Sequence, residues 1–344
     1  MATDRFEIVN WWLKKDPLTK EEQIKLTYTR PTEIKLNTAR YVNIIDKYFD
    51  LMPFCNISST THKIVVANKG TDFINRLFDK YVDNETLVIC SNNEHDNVVK
   101  RQLLCKNLLI LNHEKDILKL RIDDIVRQAK QYKKVFLYVI GTQISQGEIT
   151  PQYFFDSLKQ AFIKNNIEHV FVLDDVHGMF IVPRDYSIFD YVLYTCHALI
   201  KGFDAGFLIC KKTAESLGDE GYNWLENYYE ALSVILKRQE KLRMFKEVLS
   251  EYFSKHLNHN DFFIERHNSV PHIFALSMKK PNFLNKEFFN ELKKEYYIQL
   301  EGLFDDSASI VNVRFRAAQF IKEPEKLLPG LECLEGLFDI LGYK

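Results

Sequence analysis

From residue 63 to 212 the chain alternates short apolar runs with helix-patterned stretches, and this alternation constrains the fold more than any other feature. Apolar runs at 63–67, 86–90, 108–111, 135–140, 169–173, 190–194 and 206–210 are separated by stretches such as 117–131 and 151–165, where apolar residues recur at helical period. A short unbroken apolar run bounded by turn residues is what a strand buried on both faces looks like. Seven such strands alternating with helices predict an α/β protein, a three-layer sandwich with a mainly parallel sheet and helices on both sides.

The remainder predicts a second, smaller domain. Residues 227–257 place Leu232, Ile235, Leu236, Leu242, Phe245, Val248, Leu249 and Tyr252 at helical spacing, as one long linking helix. Beyond it come a strand at 270–278, a helix at 285–297, a strand at 310–316 and a helix at 324–341, a small α+β C-terminal domain. Residues 1–55 read as an N-terminal helical segment joining the small lobe or a dimer contact, 56–235 as the large domain, and 236–344 as linking helix and small domain. The aromatic-rich first 55 residues offer surface that a second copy would cover, so a homodimer is expected.

Composition excludes several function classes. Lys and Arg number 46 against 47 Asp and Glu, so no overall field favours nucleic acid. No run approaches the roughly 20 apolar residues of a membrane span, and the amino terminus lacks a signal-peptide pattern. Six scattered cysteines without a Cys-x-x-Cys pair suit buried thiols in a reducing cytoplasm, the expected location. His256, His259, His267 and His272 lack the carboxylate or cysteine that would complete a zinc spacing, so no metal is expected. A Gly-x-Ser-x-Gly nucleophile elbow is also missing.

The chemistry concentrates between residues 63 and 206. Val170-Phe-Val-Leu173 runs straight into Asp174 and Asp175, placing a carboxylate at the carboxyl end of a buried strand, where open α/β sheets collect catalytic groups. Asp175 competes with Asp174 for that role. Downstream, Thr195-Cys-His-Ala-Leu-Ile-Lys-Gly-Phe-Asp-Ala-Gly206 carries Lys201 in a glycine-flanked turn. A buried carboxylate followed by such a lysine is what a pyridoxal phosphate (PLP) site needs: the acid keeps the ring nitrogen protonated and the amine holds the cofactor as a Schiff base. Upstream, Gly70 and Thr71 lie at a strand-to-helix turn that points free amides at a phosphate. His95, near the end of the second strand, offers a flat ring to stack on a cofactor, or else a surface histidine in a helix-capping loop.

In this order the pieces resemble the fold-type I PLP-dependent transferase superfamily, aminotransferase class I/II, across residues 60–215. Asp174-Asp-Val-His177 is similar to the Asp-Asp-x-His of α-oxoamine synthases, whereas cysteine-desulfurase-like class V enzymes usually end this motif in glutamine. The segment 109–118 looks like the stretch after the family's third strand, and Ser145-Gln-Gly-Glu-Ile-Thr-Pro151 looks like a shortened form of a family loop that would bring Ser145 near the cofactor. Two departures stand out. Extra residues separate the strand ending at Tyr194 from Lys201, which brings Thr195 and His197 in as further cofactor contacts, and residues 55–61 lack the family's glycine-rich lead.

The resemblance implies a PLP-dependent transferase acting at the Cα of an amino acid through an external aldimine. Lys201, displaced by the substrate amine, would move the Cα proton. Asp174 would hold the ring nitrogen, His95 stack on the ring and His177 approach its hydroxyl. Gly70 and Thr71 would bind the phosphate. Arg314, in the expected strand 310–316, stands where the family carries the arginine that grips a substrate carboxylate, and Arg316 on the same strand face rivals it. Acyl transfer from an acyl-CoA, as in α-oxoamine synthases, is the favoured reaction. Transamination with a keto acid, a lyase or desulfurase reaction, and a non-catalytic PLP-fold partner protein are the alternatives.

Overall fold

The computed structural model describes residues 4–27, 38–91, 95–111, 122–142, 148–200, 203, 205–218, 224–257, 262–264, 269–279, 298–301 and 310–340. Chain contacts divide it into two units, one of residues 29–144 and 149–229, the other of 1–28, 145–148 and 230–344. The first 55 residues, read from sequence as one segment, are therefore shared between the units.

In the first unit α3 (Thr38–Asp50) precedes a seven-stranded sheet and its helices. In chain order these are β1 (His62–Ala67), α4 (Gly70–Tyr81), β2 (Thr86–Ser91), α5 (Asp96–Gln102), β3 (Leu108–Leu111), α6 (Ile122–Ala129), β4 (Lys134–Ile140), α7 (Gln152–Lys164), β5 (His169–Asp174), β6 (Tyr191–Thr195) and β7 (Gly206–Lys211). The strand order is β1-β7-β6-β5-β4-β2-β3, and only β7 runs against the rest. All seven expected strands are present, and the α/β class with a mainly parallel sheet is the observed one.

Side-chain alternation distributes each strand between two cores. Val88, Phe136, Tyr138, Val172, Leu193 and Leu208 pack with Phe73, Leu77 and Phe78 of α4 and Val98 of α5. On the opposite face Phe171 meets Phe155 of α7, and Phe207 meets Tyr48 of α3. Fully burying one such aromatic contributes roughly 1.5–3 kcal/mol, so both layers are secured by the sequence alternation. Parity puts Tyr138, Asp174 and Thr195 on the α4–α5 face, which decides where a site can form.

The second unit contains α1 (Arg5–Lys14), α2 (Lys20–Thr27), α9 (Gln239–His256), the sheet β10-β11-β9-β8 and a closing helix Leu327–Ile340. The sheet is antiparallel throughout, from β8 (Phe262–Ile264), β9 (Ile273–Lys279), β10 (Ile298–Glu301) and β11 (Ile310–Arg316). The short strands β8 and β10 are not anticipated in the sequence reading, and the expected helix at 285–297 lies outside the described residues. Trp12 packs on Phe245 of α9 and donates to the carbonyl of Phe320 at 3.3 Å, while Arg5 pairs with Glu335 of the closing helix. Of the aromatic residues among the first 55, Trp12 and Tyr48 are buried, whereas Phe6 and Phe54 are exposed.

One linking element is corrected. Residues 227–257 are not one helix but two, α8 (Trp224–Leu236) and α9, broken at Lys237 and Arg238. The Arg238 guanidinium is buried, donates to the Val234 carbonyl at the end of α8, and pairs with Glu22 of α2 at 2.8 Å. Satisfying those partners stops the helix, although the apolar spacing continues through it.

Candidate active site

Because β1, β6, β5, β4, β2 and β3 share a direction, their carboxyl ends at Ala67, Thr195, Asp174, Ile140, Ser91 and Leu111 form one edge of the sheet. Ligand groups in open α/β sheets gather at this edge. The chain between β6 and β7 leaves it at Thr195 and returns at Gly206, which pairs with Thr195. Lys201 belongs to that connection and, like Ser145 in the one after β4, lies outside the described residues.

Gly70 starts α4 against the ends of β6 and β7. A Cβ on Gly70 would collide with Thr195 Oγ1, and one on Gly206 would strike the Gly70 backbone, so glycine at both positions permits the close approach. Lys69 at the N-cap makes no side-chain cap hydrogen bond, and while the Asp72 amide donates to the Lys69 carbonyl at 3.1 Å, the Gly70 and Thr71 amides stand at the start of the helix where an anion can bind. Thr71 is the second residue of the helix and is half-buried. The structure thus brings Gly70, Thr71 and Thr195 together.

Asp174 ends β5 in the register Ile140–Asp174–Leu193 and is 5 % exposed. Tyr138 donates its hydroxyl to Oδ2 at 2.7 Å, and the Val176 amide donates to Oδ1 at 3.3 Å. Among the described residues no cation faces it. Burial therefore raises its carboxyl to about 6, against the lowering effect of the two donors. Tyr138 was missed in the sequence reading, although a buried phenol on an apolar strand demands a polar partner.

Asp175 has a different environment. Arg184 Nε lies 3.3 Å from Oδ2, and Tyr186 donates its hydroxyl to the same oxygen at 2.7 Å. Both members of the ion pair are buried. Burial pushes the Asp175 carboxyl up too, while Arg184, Tyr186 and Thr142 act against it. Of the two adjacent acids, Asp175 is engaged in an ion pair with Arg184, and among the described residues Asp174 has no such partner.

His177 is buried in the turn that follows, where the Gly178 and Met179 amides donate to the Asp175 carbonyl. His95 is exposed and caps α5, its Nδ1 accepting from the Asn97 amide at 3.2 Å. That is the capping role weighed against ring stacking. His197 is half-buried in a short turn, Cys196–Ala198, directly after Thr195. Tyr228 of α8 donates to the Cys196 carbonyl at 3.2 Å, while Phe203, on the other limb of the connection, packs on Tyr228 and Trp224.

In the second unit Arg314 is 1 % exposed on the central strand β11 and Arg316 half-buried. His272, a further buried residue there, has its imidazole pushed down to about 3 by burial and by the charges of Arg316, Lys246 and Arg314. It had no distinguishing sequence signal.

No family model and no curated protein matches the chain. Solved structures do. A NifS-like protein from Rickettsia africae is similar at 14% identity over 92% of this chain and 95% of that one, with a TM-score of 0.62. A ureidoglycine-glyoxylate aminotransferase from Bacillus subtilis is similar at 13% identity over 95% and 92%, with a TM-score of 0.64. A Sphingomonas wittichii serine palmitoyltransferase is similar at 11% identity over 99% and 85%, with a TM-score of 0.57. Together with the sheet order, these likenesses establish the fold as that of the PLP-dependent transferases of fold type I.

Proposed function

We propose that the chain binds PLP at the carboxyl edge of the seven-stranded sheet and is a transferase acting at the Cα of an amino acid. The single observation that carries this reading is Asp174, a buried carboxylate at a strand end with no cation facing it among the described residues. A protonated ring nitrogen is a fitting partner for it. The glycine-lined start of α4 suits a phosphate, with Thr71 and Thr195 supplying hydroxyls.

When bound, PLP supplies an electron sink for the bond broken at Cα. Asp174 then keeps the ring nitrogen protonated, the Gly70 and Thr71 amides with Thr195 hold the phosphate, and Lys201 carries the cofactor and moves the proton at Cα. Arg314, with Arg316 as the rival, is the proposed grip on a substrate carboxylate. The finer reading is acyl transfer from an acyl-CoA, supported by the Asp174-Asp-Val-His177 motif.

The test is exchange of the amino acid Cα proton by the cofactor-loaded protein, measured by proton NMR in heavy water with single amino acids. Acyl transfer predicts exchange accelerated by an acyl-CoA, with free coenzyme A released in step with product. Accumulation of pyridoxamine phosphate with a keto acid, indifferent to any acyl donor, would replace acyl transfer by transamination.

A further inference from the structure

Two consecutive buried acids stand at the end of β5, and among the described residues only Asp175 faces a cation. Arg184 reaches three points at once: Asp175 Oδ2 through Nε at 3.3 Å, the Thr150 carbonyl through Nη1 at 3.0 Å and the Gly141 carbonyl through Nη2 at 2.8 Å. Asp175 Oδ1 fills the space that a Cβ on Gly141 or Gly178 would need, so both glycines serve this carboxylate. Arg184 also lies over the Phe155 ring, 5.1 Å from its centroid, and is 2 % exposed. The charge is fixed by packing as well as by hydrogen bonds.

The groups facing the pair come from several elements. Tyr138 of β4 faces Asp174. Thr142 beyond β4, Tyr186 and Arg184 from the β5–β6 connection, and Cys55 ahead of β1 face Asp175, and His177 follows in the same turn. Arg184 is the sole fixed cation among these described groups.

We propose that Arg184 and Asp175 are the positioning pair of the site, the guanidinium neutralising Asp175 and clamping the Gly141 and Thr150 carbonyls so that Asp174 alone is left to receive the cationic ring nitrogen of PLP. The proposal rests on the PLP reading above. Its physical basis is that a second buried carboxylate left without a cation opposes ionisation of the first, as the Asp175 charge does for Asp174, and couples cofactor binding to a second titration. With Arg184 in place the ring nitrogen meets one acid in one register.

Two titrations test it: the pH dependence of PLP affinity, read from the absorbance of bound cofactor, and an infrared titration of buried carboxyl groups without cofactor. The native protein should show one ionisation in each, which Asp174→Asn removes. Arg184→Met should show two coupled ionisations and bind PLP about tenfold more weakly at neutral pH. Arg184→Met with Asp175→Asn should return to one ionisation and to within about threefold of native affinity. Arg184→Lys keeps the charge without the fork and should retain the single ionisation. A native profile in Arg184→Met, or removal of the native infrared transition by Asp175→Asn instead of Asp174→Asn, overturns the proposal. Should Arg184→Met fail to fold, a second ionisation in either remaining variant does the same. The expected infrared pattern in a native protein that takes up no PLP would retain the charge pairing and overturn the cofactor reading alone.

Discussion

At the residue scale, two neighbours of the same type acquire opposite electrostatic roles from partners that lie far along the chain. Asp174 meets neutral donors and has its carboxyl held near 6, whereas Asp175 meets Arg184. The sign for stability follows directly. An acid whose native value lies above its ordinary 3.8 binds its proton more tightly folded than unfolded, so it stabilises the fold most below that value. As pH rises from about 4 to 6, the cofactor-free protein should lose roughly 2–3 kcal/mol of stability through this group. Urea denaturation across that range checks it: Asp174→Asn should flatten the slope, and an unchanged slope would place the titrating group elsewhere. PLP binding should strengthen through the same window, since only ionised Asp174 attracts a ring cation.

At the scale of elements, the seven strands were readable because a strand buried on both faces has few alternatives to an unbroken apolar run. The break between α8 and α9 was not readable. Leu232 to Tyr252 keeps helical spacing across it, and what ends α8 is Arg238 reaching Asp16 and Glu22, more than two hundred residues earlier. Replacing Arg238 by Met leaves Glu22, whose carboxyl this contact holds down to about 2, without its cation. Breaking a buried pair typically costs about 3–5 kcal/mol, and the partly exposed acids place this one at the lower end. Guanidinium denaturation of Arg238→Met should show that loss, with Glu22→Gln costing less because Asp16 still faces the arginine. Equal stability of Arg238→Met and native protein would mean that the break is imposed by something else.

At the scale of the whole molecule, the candidate site divides into what the strand pattern discloses and what only tertiary structure decides. Asp174 and Gly70 were legible, one as the end of an apolar run and the other as a glycine turn entering a helix. The ion pair of Asp175 with Arg184 and the donor Tyr138 on Asp174 were not, because a side chain's partners across a sheet leave no local trace. His95 shows the converse, since a ring-stacking histidine and a helix cap share one sequence signal and the structure displays the cap. The proposed cofactor contacts converge on the connection between Thr195 and Gly206, whose ends lie on the carboxyl edge beside Gly70 and which carries Lys201. The most direct measurement is therefore to incubate the purified protein with PLP, reduce it with borohydride and map the modified peptide by mass spectrometry. A pyridoxyl group on Lys201, lost in Lys201→Ala, is the predicted result; a protein that takes up no PLP, or an adduct on another lysine that survives the substitution, would contradict the account.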